Sequence, residues 1–376
     1  MHTERRAEHS GTPAATPGRL GSGRLAPLDG IRAIAALAVV AFHLGISALG
    51  GGFVGVDWFF VLSAFLVGTL LLDQIDRSGD VDLSRFYRRR AGRLVPALVA
   101  MVAVILLATA AVAADLLANA GKEAVAAVTY LSNLTRFGAP AEPTLFLHTW
   151  TLSLEMQFYL ALPFVLRWVR RRGWRDARVA AWATGLALAI AALHGVLLAT
   201  FPGRWFAESL PLLDTSRFAM GLALAFALRD PAAWMSATLS KGWLAAACGL
   251  VMLADLDLAQ YVDTAWVPMH SLAIGVLVAV VIGHVVTRPE QLLARLLSLP
   301  VLVKVGVMSY SLYLWHFPIF NLLEDGVTIS GHTGLRLVLK AVLTAAATYL
   351  SWRFVESRTS RRRASAPATT VTAPAV

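Results

Sequence analysis

Three residues that can exchange protons stand inside stretches of the sequence that are otherwise apolar: His43, Asp57 and Glu155. A charge near the centre of a bilayer costs about 2.5–3.5 kcal/mol on insertion scales, so such residues indicate a function or a buried partner. A histidine can accept a hydroxyl proton near neutral pH, and a nearby carboxylate can orient its ring and stabilise its charged form. These residue types therefore favour general acid–base chemistry.

A second group of residues that could take part in the chemistry is the arginine cluster of residues 85–93. It contains Arg88, Arg89 and Arg90 and ends at Arg93. Such a cluster can simply determine membrane topology. Arginine clusters also bind phosphates through bidentate hydrogen bonds. The specific alternative is therefore that these arginines bind a phosphorylated donor.

Several other chemistries lack their sequence signals. No G-x-S-x-G nucleophile motif and no GxxxxGK[ST] phosphate loop occurs, which argues against a serine hydrolase and against ATP-driven work. The histidines lack HExxH spacing, and Cys248 is the single cysteine, so we expect no metal and no intrachain disulfide. The net charge of +10 lies between apolar blocks, so we expect no nucleic-acid partner.

The elements that must position these residues are long apolar blocks. The 376-residue chain is 57% hydrophobic, above the roughly 45–50% of soluble domains. Blocks of about twenty residues match the length of a membrane-crossing helix. We predict an all-α polytopic membrane protein with about ten transmembrane helices, near 28–48, 53–72, 94–114, 150–166, 179–200, 212–228, 243–258, 267–287, 305–323 and 334–353.

The flanks and the loops complete the domain organisation. We predict a disordered tail over 1–26, a membrane domain over 27–356 and a disordered basic tail over 357–376. No signal peptide is expected, and the segment KEAVAAVTYLSNL in the 115–148 connection is expected to dip into the membrane without crossing it. Most of the 33 lysines and arginines fall on one side of a ten-helix topology, which predicts that both termini are cytoplasmic.

That topology places six ionisable residues in the outer half of the membrane. Glu155 lies seven residues beyond His148 in HTWTLSLEMQFYLALPF, so two helical turns keep both side chains on one face. If the six residues face one another rather than lipid, they form a polar cavity that opens outward. They are His43, Asp57, His148, Glu155, Arg217 and His316.

Each of these residues also has a purely structural interpretation. Glu155 pairs with Arg217 in one alternative, and His43 is a neutral imidazole bonded to a backbone carbonyl in another. In the remaining alternatives His316 is an interfacial anchor and Asp57 caps its helix. His148, at the surface, would then be structural.

The sequence resembles the acyltransferase 3 family of bacterial integral-membrane O-acyltransferases. Five segments carry the resemblance, in the family's order: PLDGIRAIAALAVVAFHLG, GGFVGVDWFFVLSAFLVGTLL, FYRRRAGRLVPAL, HTWTLSLEMQFYLALPF and SYSLYLWHFPIF. The R-x10-H motif falls on Arg32 and His43, and R-x-x-R falls on Arg90 and Arg93. Ala64 replaces the usual glycine of S-G-F, and Met156 replaces a common second glutamate, which leaves Glu155 as the useful carboxylate.

The resemblance implies transfer of an acyl group, usually acetyl, from cytoplasmic acyl-CoA to a hydroxyl of a carbohydrate or glycosylated acceptor. It implies that His43 is the base, oriented by Glu155 or Asp57. Donor binding is assigned to Arg32, Arg89, Arg90 and Arg93, and substrate positioning to His316, Arg217 and His148. The protein is expected in the bacterial cell membrane.

Several alternatives stay open. Surface polysaccharide, peptidoglycan, glycolipid and a sugar-bearing secondary metabolite are all possible acceptors. Some family members carry an additional hydrolase-like domain, whereas this sequence ends in a short tail, so we expect it to act alone or with a separate partner. The rival functions are a transporter of a polysaccharide or small molecule, and a structural or sensory membrane protein.

Overall fold

A computed structural model describes residues 25–135, 144–201, 215–325 and 333–357. Within these ranges the regular secondary structure is entirely helical. The helices are α1 Ala26–His43, α2 Gly55–Ser78, α3 Leu83–Val112, α4 Leu117–Val128, α5 Ser132–Thr135, α6 Thr149–Arg171, α7 Asp176–Thr200, α8 Ser216–Ala227, α9 Ala233–Leu239, α10 Gly242–Leu258, α11 Val267–Thr287, α12 Leu292–Leu297, α13 Pro300–Asp325 and α14 Thr333–Ser351.

The all-α polytopic prediction is confirmed. Seven helical segments in the described ranges are long and apolar enough to cross a membrane: Ala26–His43, Ser47–Ser78, Leu83–Val112, Asp176–Thr200, Gly242–Tyr261, Thr264–Thr287 and Gly334–Glu356. The described parts of the other three predicted blocks also lie on helices, α6, α8 and α13. The number ten and the cytoplasmic termini stay predictions, and both predicted tails lie almost wholly outside the described ranges.

The polar residues of α6 and α13 explain why these two long helices are less apolar than the seven. The first carries Glu155 and Gln157, and the second carries a polar and aromatic run that ends at His316. At 23 and 26 residues, each is still long enough to cross a hydrocarbon core of about 30 Å. Two of the candidate residues, Glu155 and His316, therefore lie on long helices outside the seven.

Glycines bring α1 and α13 into direct backbone contact. A Cβ added at Gly306 of α13 would lie 1.9 Å from the carbonyl oxygen of Asp29 in α1, and one at Gly30 of α1 would lie 1.9 Å from that of Leu297, which ends α12 just before α13. Small residues at such positions allow helices in a membrane to approach closely. Because α1 and α13 run in the same direction, this contact near their first residues also brings the far ends of both helices together.

Ion pairs join the helix ends at what we call the arginine-rich end, where the last turn of α2, the first turns of α3 and the end of α6 carry arginines. Arg229 contacts Asp73 of α2 at 3.2 Å and Asp176 of α7 at 3.1 Å, and it also pairs with Asp76. Gly79, in a left-handed conformation with φ of 79°, ends α2 and leads the chain back towards α3. These contacts hold α2, α7 and α8 in register below the candidate site.

Candidate functional site

Three histidines from three separate segments meet near the end of α1 that is opposite the arginine-rich end. His316 Nε2 lies 3.3 Å from His43 Nδ1, and the two ring centroids are 5.1 Å apart. The ring centroid of His148 is 5.7 Å from that of His316. His148 and His316 are both buried, whereas His43 is half-buried.

Backbone carbonyls determine where the protons of these rings lie. Nδ1 of His316 is 2.7 Å from the carbonyl oxygen of Tyr313, and Nδ1 of His43 is 2.9 Å from that of Val39. A carbonyl oxygen only accepts, so each Nδ1 carries the proton and each Nε2 has an unprotonated lone pair. Nε2 of His316 then accepts from His43 Nδ1, which leaves Nε2 of His43 as the base, with no hydrogen-bond partner in the part of the chain that the structure describes.

His148 is not at the surface, contrary to the sequence-based expectation. Its side chain is buried because the chain before α6 folds inward against α13, where His148 Nε2 donates to the carbonyl oxygen of Leu314 at 3.1 Å. The ring of Phe317 stacks on His148 at 5.1 Å and meets the edge of His43 at 5.1 Å. Phe317 therefore joins the two histidines through an aromatic contact.

The connection before α6 holds His148 in this position. The carboxylate of Glu123 in α4 accepts from the backbone amides of Leu145 and Phe146 at 3.0 and 2.9 Å. Burial of Glu123 raises the pKa of its carboxyl group. Gln157 and Asn133 exchange two hydrogen bonds of 3.0 Å, which tie α5 to α6.

A cavity with about 650 Å³ of empty space lies between α1, α2, α3, α6 and α13, and Glu155 is in its wall. Its lining residues are Arg32, Val56, Phe59, Phe60, Ser63, Arg90, Arg93, Leu94, Thr151, Leu152, Glu155, Tyr159, Ser309, Tyr310 and Tyr313. Three arginines thus converge on one cavity from α1 and α3. Arg89 is exposed and is not among the lining residues, because it projects from a different side of α3.

The arginines of the cavity form no ion pair with a carboxylate in the described ranges. The guanidinium of Arg90 lies over the ring of Tyr159 at 4.6 Å, and Nε of Arg32 is buried with no hydrogen-bond partner among the described residues. Arg90 is half-buried and Arg93 is exposed, so the buried donor without a partner is Nε of Arg32. Such a donor is costly, and its position beside two further guanidiniums favours an anionic ligand.

Glu155 is held within this cavity by hydroxyl groups. The side chains of Ser63 and Tyr159 both donate to its Oε1, and Oε2 has no protein partner in the part of the chain described. Glu155 therefore belongs to the arginine cavity and does not contact His43. The predicted single polar cavity is wrong in this respect.

Asp57 and Arg217 form a separate buried ion pair between α2 and α8, with Nε of Arg217 2.9 Å from Oδ1 of Asp57. Asp57 therefore does not cap its helix, and Arg217 pairs with Asp57 rather than with Glu155. Nearby, Nε2 of His270 lies 2.8 Å from Asp255. Neither nitrogen of His43 hydrogen-bonds a carboxylate within the described ranges, because the expected orienting carboxylates are engaged elsewhere.

Tyr313 links the cavity with the histidines and was not found from the sequence. Its hydroxyl group lies 2.7 Å from Oγ1 of Thr151 and donates to the carbonyl oxygen of His148 at 2.9 Å. Its ring contacts His148 and His316, with centroids 5.5 and 5.4 Å apart. The spacing of Tyr313 three residues before His316 places both on one side of α13 and was a usable signal.

The fold and the site together define an all-α membrane protein in which a basic cavity lies beside a histidine cluster. Comparison with known families places it further: the acyltransferase 3 family model, an acyltransferase domain, matches residues 25–355. The chain belongs to this family.

Relatives carry names that agree with the family. The chain is 30% identical over 350 residues to the peptidoglycan O-acetyltransferase OatA of Listeria monocytogenes, covering 88% of this chain and 55% of that protein. It is 29% identical over 351 residues to the O-acetyltransferase OatA of Staphylococcus aureus strain NCTC 8325, covering 88% and 56%. The chain thus spans a little over half the length of these relatives. No solved structure shows significant similarity to it.

Proposed function

We propose that this protein is a bacterial plasma-membrane O-acyltransferase that moves an acetyl or other short acyl group from cytoplasmic acyl-CoA to a hydroxyl of a carbohydrate-containing acceptor. The observation that carries the proposal is the convergence of Arg32, Arg90 and Arg93, without ion pairs in the described ranges, on a cavity whose lining residue Tyr313 also contacts the histidine cluster. We further propose ten membrane crossings with both termini in the cytoplasm.

The proposed binding site for the acyl-CoA donor rests on the charge of the cavity. Three guanidiniums and one carboxylate give the cavity a net positive charge, which suits the phosphates of coenzyme A. Arg32, Arg90 and Arg93 bind those phosphates from the arginine-rich end. Glu155, held by Ser63 and Tyr159, orients the cavity hydroxyl groups and limits the excess positive charge.

The chemical step follows from the free lone pair of His43. Its Nε2 removes the proton from the acceptor hydroxyl as the oxygen attacks the thioester carbonyl carbon. The tetrahedral intermediate then collapses, the carbon–sulfur bond breaks, and the thiolate leaves with the proton that His43 held. His316 accepts the hydrogen bond from Nδ1 of His43 throughout and stabilises the imidazolium.

The acceptor is proposed from the relatives. The Listeria protein is named for peptidoglycan. We propose a surface glycan acceptor, reached from the side of the membrane opposite the arginine-rich end, with peptidoglycan as the first candidate.

The test of the donor site is direct binding of coenzyme A to purified protein in nanodiscs. Arg90→Ala and Arg93→Ala should each weaken binding by about 10- to 150-fold, the equivalent of one charged hydrogen bond of about 1.5–3 kcal/mol. Arg89→Ala is the matched control and should bind as the wild type does. Equal affinities in all four proteins would refute the donor site.

The test of the reaction is label transfer from isotopically labelled acetyl-CoA to a cell-wall and glycan extract, followed by mass spectrometry. Wild-type protein should label a product that His43→Ala does not. Transmembrane substrate flux without any acyl transfer would instead support a transporter.

A further inference from the structure

The cavity has two chemically different ends, and the order of residues along its helices separates them. Along α2, Val56 and Phe59 precede Ser63, and along α6, Thr151 precedes Glu155. Both helices run towards the arginine-rich end. At 1.5 Å per residue, Val56 and Phe59 therefore lie about 6–10 Å further from that end than Ser63 does, and Thr151 lies about 6 Å further than Glu155.

The end remote from the arginines is apolar and aromatic. Its walls are Val56, Phe59, Phe60 and Leu152, and it contains no charged side chain among the described lining residues. Val56 and Phe59 are only half-buried although they lie inside the helix bundle, since the cavity leaves one side of each uncovered.

Tyr313 closes this apolar end. Its ring centroid lies 6.5 Å from that of Phe59, and its hydroxyl group is held by Thr151 and by the carbonyl oxygen of His148. The other side of the same ring faces His148 and His316. A group that occupies the apolar end therefore lies next to the histidine cluster, separated from it by one tyrosine ring.

We propose that this apolar end is the acyl-chain subsite, and that Val56 and Phe59 set the length of the acyl group that is transferred. The inference rests on the proposed function, in which the phosphates of the donor lie at the arginines. A thioester bound in that direction points its acyl carbon atoms at Val56 and Phe59. On this proposal the apolar space beneath Tyr313 accepts an acetyl group, and longer chains enter it only when one of these side chains is reduced.

The experiment compares Val56→Ala and Phe59→Leu with Val61→Ala, using acetyl-, propionyl- and butyryl-CoA as donors. Val61 is a matched control because it lies on the same helix, is fully buried, and packs its side chain against Gly275 of α11 rather than lining the cavity. One methylene in a hydrophobic pocket discriminates by about 10- to 200-fold. The ratio of kcat/KM for butyryl-CoA over acetyl-CoA should therefore rise by about 10-fold or more in both lining variants and stay unchanged in Val61→Ala.

Binding provides a readout that does not depend on catalysis. The ratio of the dissociation constants of butyryl-CoA and coenzyme A should fall in Val56→Ala and Phe59→Leu relative to wild type, even in a variant that turns over slowly. Wild-type ratios in both lining variants would overturn the acyl subsite alone. A wild-type protein that binds coenzyme A but transfers no acyl group to any acceptor would overturn the proposed function and this inference together.

Discussion

Nε2 of His316 is the hydrogen-bond acceptor for Nδ1 of His43, at 3.3 Å. The carbonyl oxygen of Tyr313 fixes the proton of His316 on its other nitrogen, so this lone pair is always directed at His43. A neutral imidazole thus occupies the position that a carboxylate takes in many catalytic histidine pairs. It orients His43 without placing a negative charge beside it in the membrane, where such a charge is costly.

The first prediction concerns this orienting role. His316→Phe keeps an aromatic ring but removes the acceptor, so kcat should fall by about 10- to 150-fold, the loss of a hydrogen bond to a charged group of about 1.5–3 kcal/mol. KM for acyl-CoA should not change, because His316 does not line the arginine cavity. Steady-state kinetics with saturating acceptor measures both values.

His316→Gln is the conservative control, since its amide oxygen can accept from His43 and should restore part of the lost rate. An unchanged kcat in His316→Phe would show that His43 works without this partner. A rise in KM together with a fall in thermal stability would indicate that His316 has only a packing role.

The second prediction concerns the contact that brings the two histidines together. In Gly306→Ala the new Cβ would lie 1.9 Å from the carbonyl oxygen of Asp29, so α1 and α13 must separate. Overpacking of this kind costs about 1–3 kcal/mol. We expect a lower melting temperature and a lower kcat, although Gly306 lies more than two helical turns from either histidine.

Gly249→Ala is the control for the second prediction, because no neighbouring atom of the described residues lies within 4 Å of a Cβ built at that helical glycine. Its melting temperature and kcat should match those of the wild type. If Gly306→Ala behaved in the same way, close packing of α1 and α13 would not determine the geometry of the histidines.

The sequence predicted the helices well, because their signal is local. Within the described residues each of the ten predicted blocks coincides largely with a helix, and the lengths of the blocks follow from the thickness of the bilayer. The resemblance to the family selected Arg32, Arg90 and Arg93, which the structure brings into one cavity. The membership of each side chain in a cluster was harder to predict, because it depends on contacts between helices that are distant in sequence.

Glu155 and Asp57 illustrate this difficulty. The sequence predicts how far along its helix each carboxylate lies, but this position does not determine which neighbouring helix the side chain faces. Glu155 faces Ser63 and the arginines, and Asp57 faces Arg217, so neither orients His43. The spacing of four between Glu155 and Tyr159 was the one local signal that could have indicated a neighbour for Glu155.

The third prediction separates structural from chemical roles for the buried pair of Asp57 and Arg217. Asp57→Asn leaves the charge of Arg217 buried without its carboxylate, which costs about 3–5 kcal/mol. The double variant Asp57→Leu with Arg217→Met removes both charges, and it should recover most of the melting temperature and of kcat. A stable double variant without activity would instead show that Asp57 or Arg217 takes part in the reaction.

The fourth prediction concerns the pH dependence of the segment that holds His148. Burial raises the pKa of Glu123, so the folded state holds its proton more tightly than the unfolded state does. The stability contributed by this group is therefore greatest below the pKa of the unfolded chain. It falls as the pH rises to the raised pKa of the folded state, and stays constant above that value. Glu123→Gln carries no charge, and its carbonyl oxygen can still accept from the amides of Leu145 and Phe146.

We therefore expect the melting temperature of Glu123→Gln to equal or exceed that of wild type at neutral pH and to vary less across the mildly acidic range. Glu123→Ala removes the acceptor from two amides of buried residues, at about 1–3 kcal/mol each, and should lower the melting temperature at every pH. Thermal unfolding in detergent between pH 4 and pH 8, roughly the range over which a carboxyl group with a raised pKa titrates, measures all three proteins. If Glu123→Gln were as unstable as Glu123→Ala, the charge of Glu123 would itself be needed to hold the segment before His148.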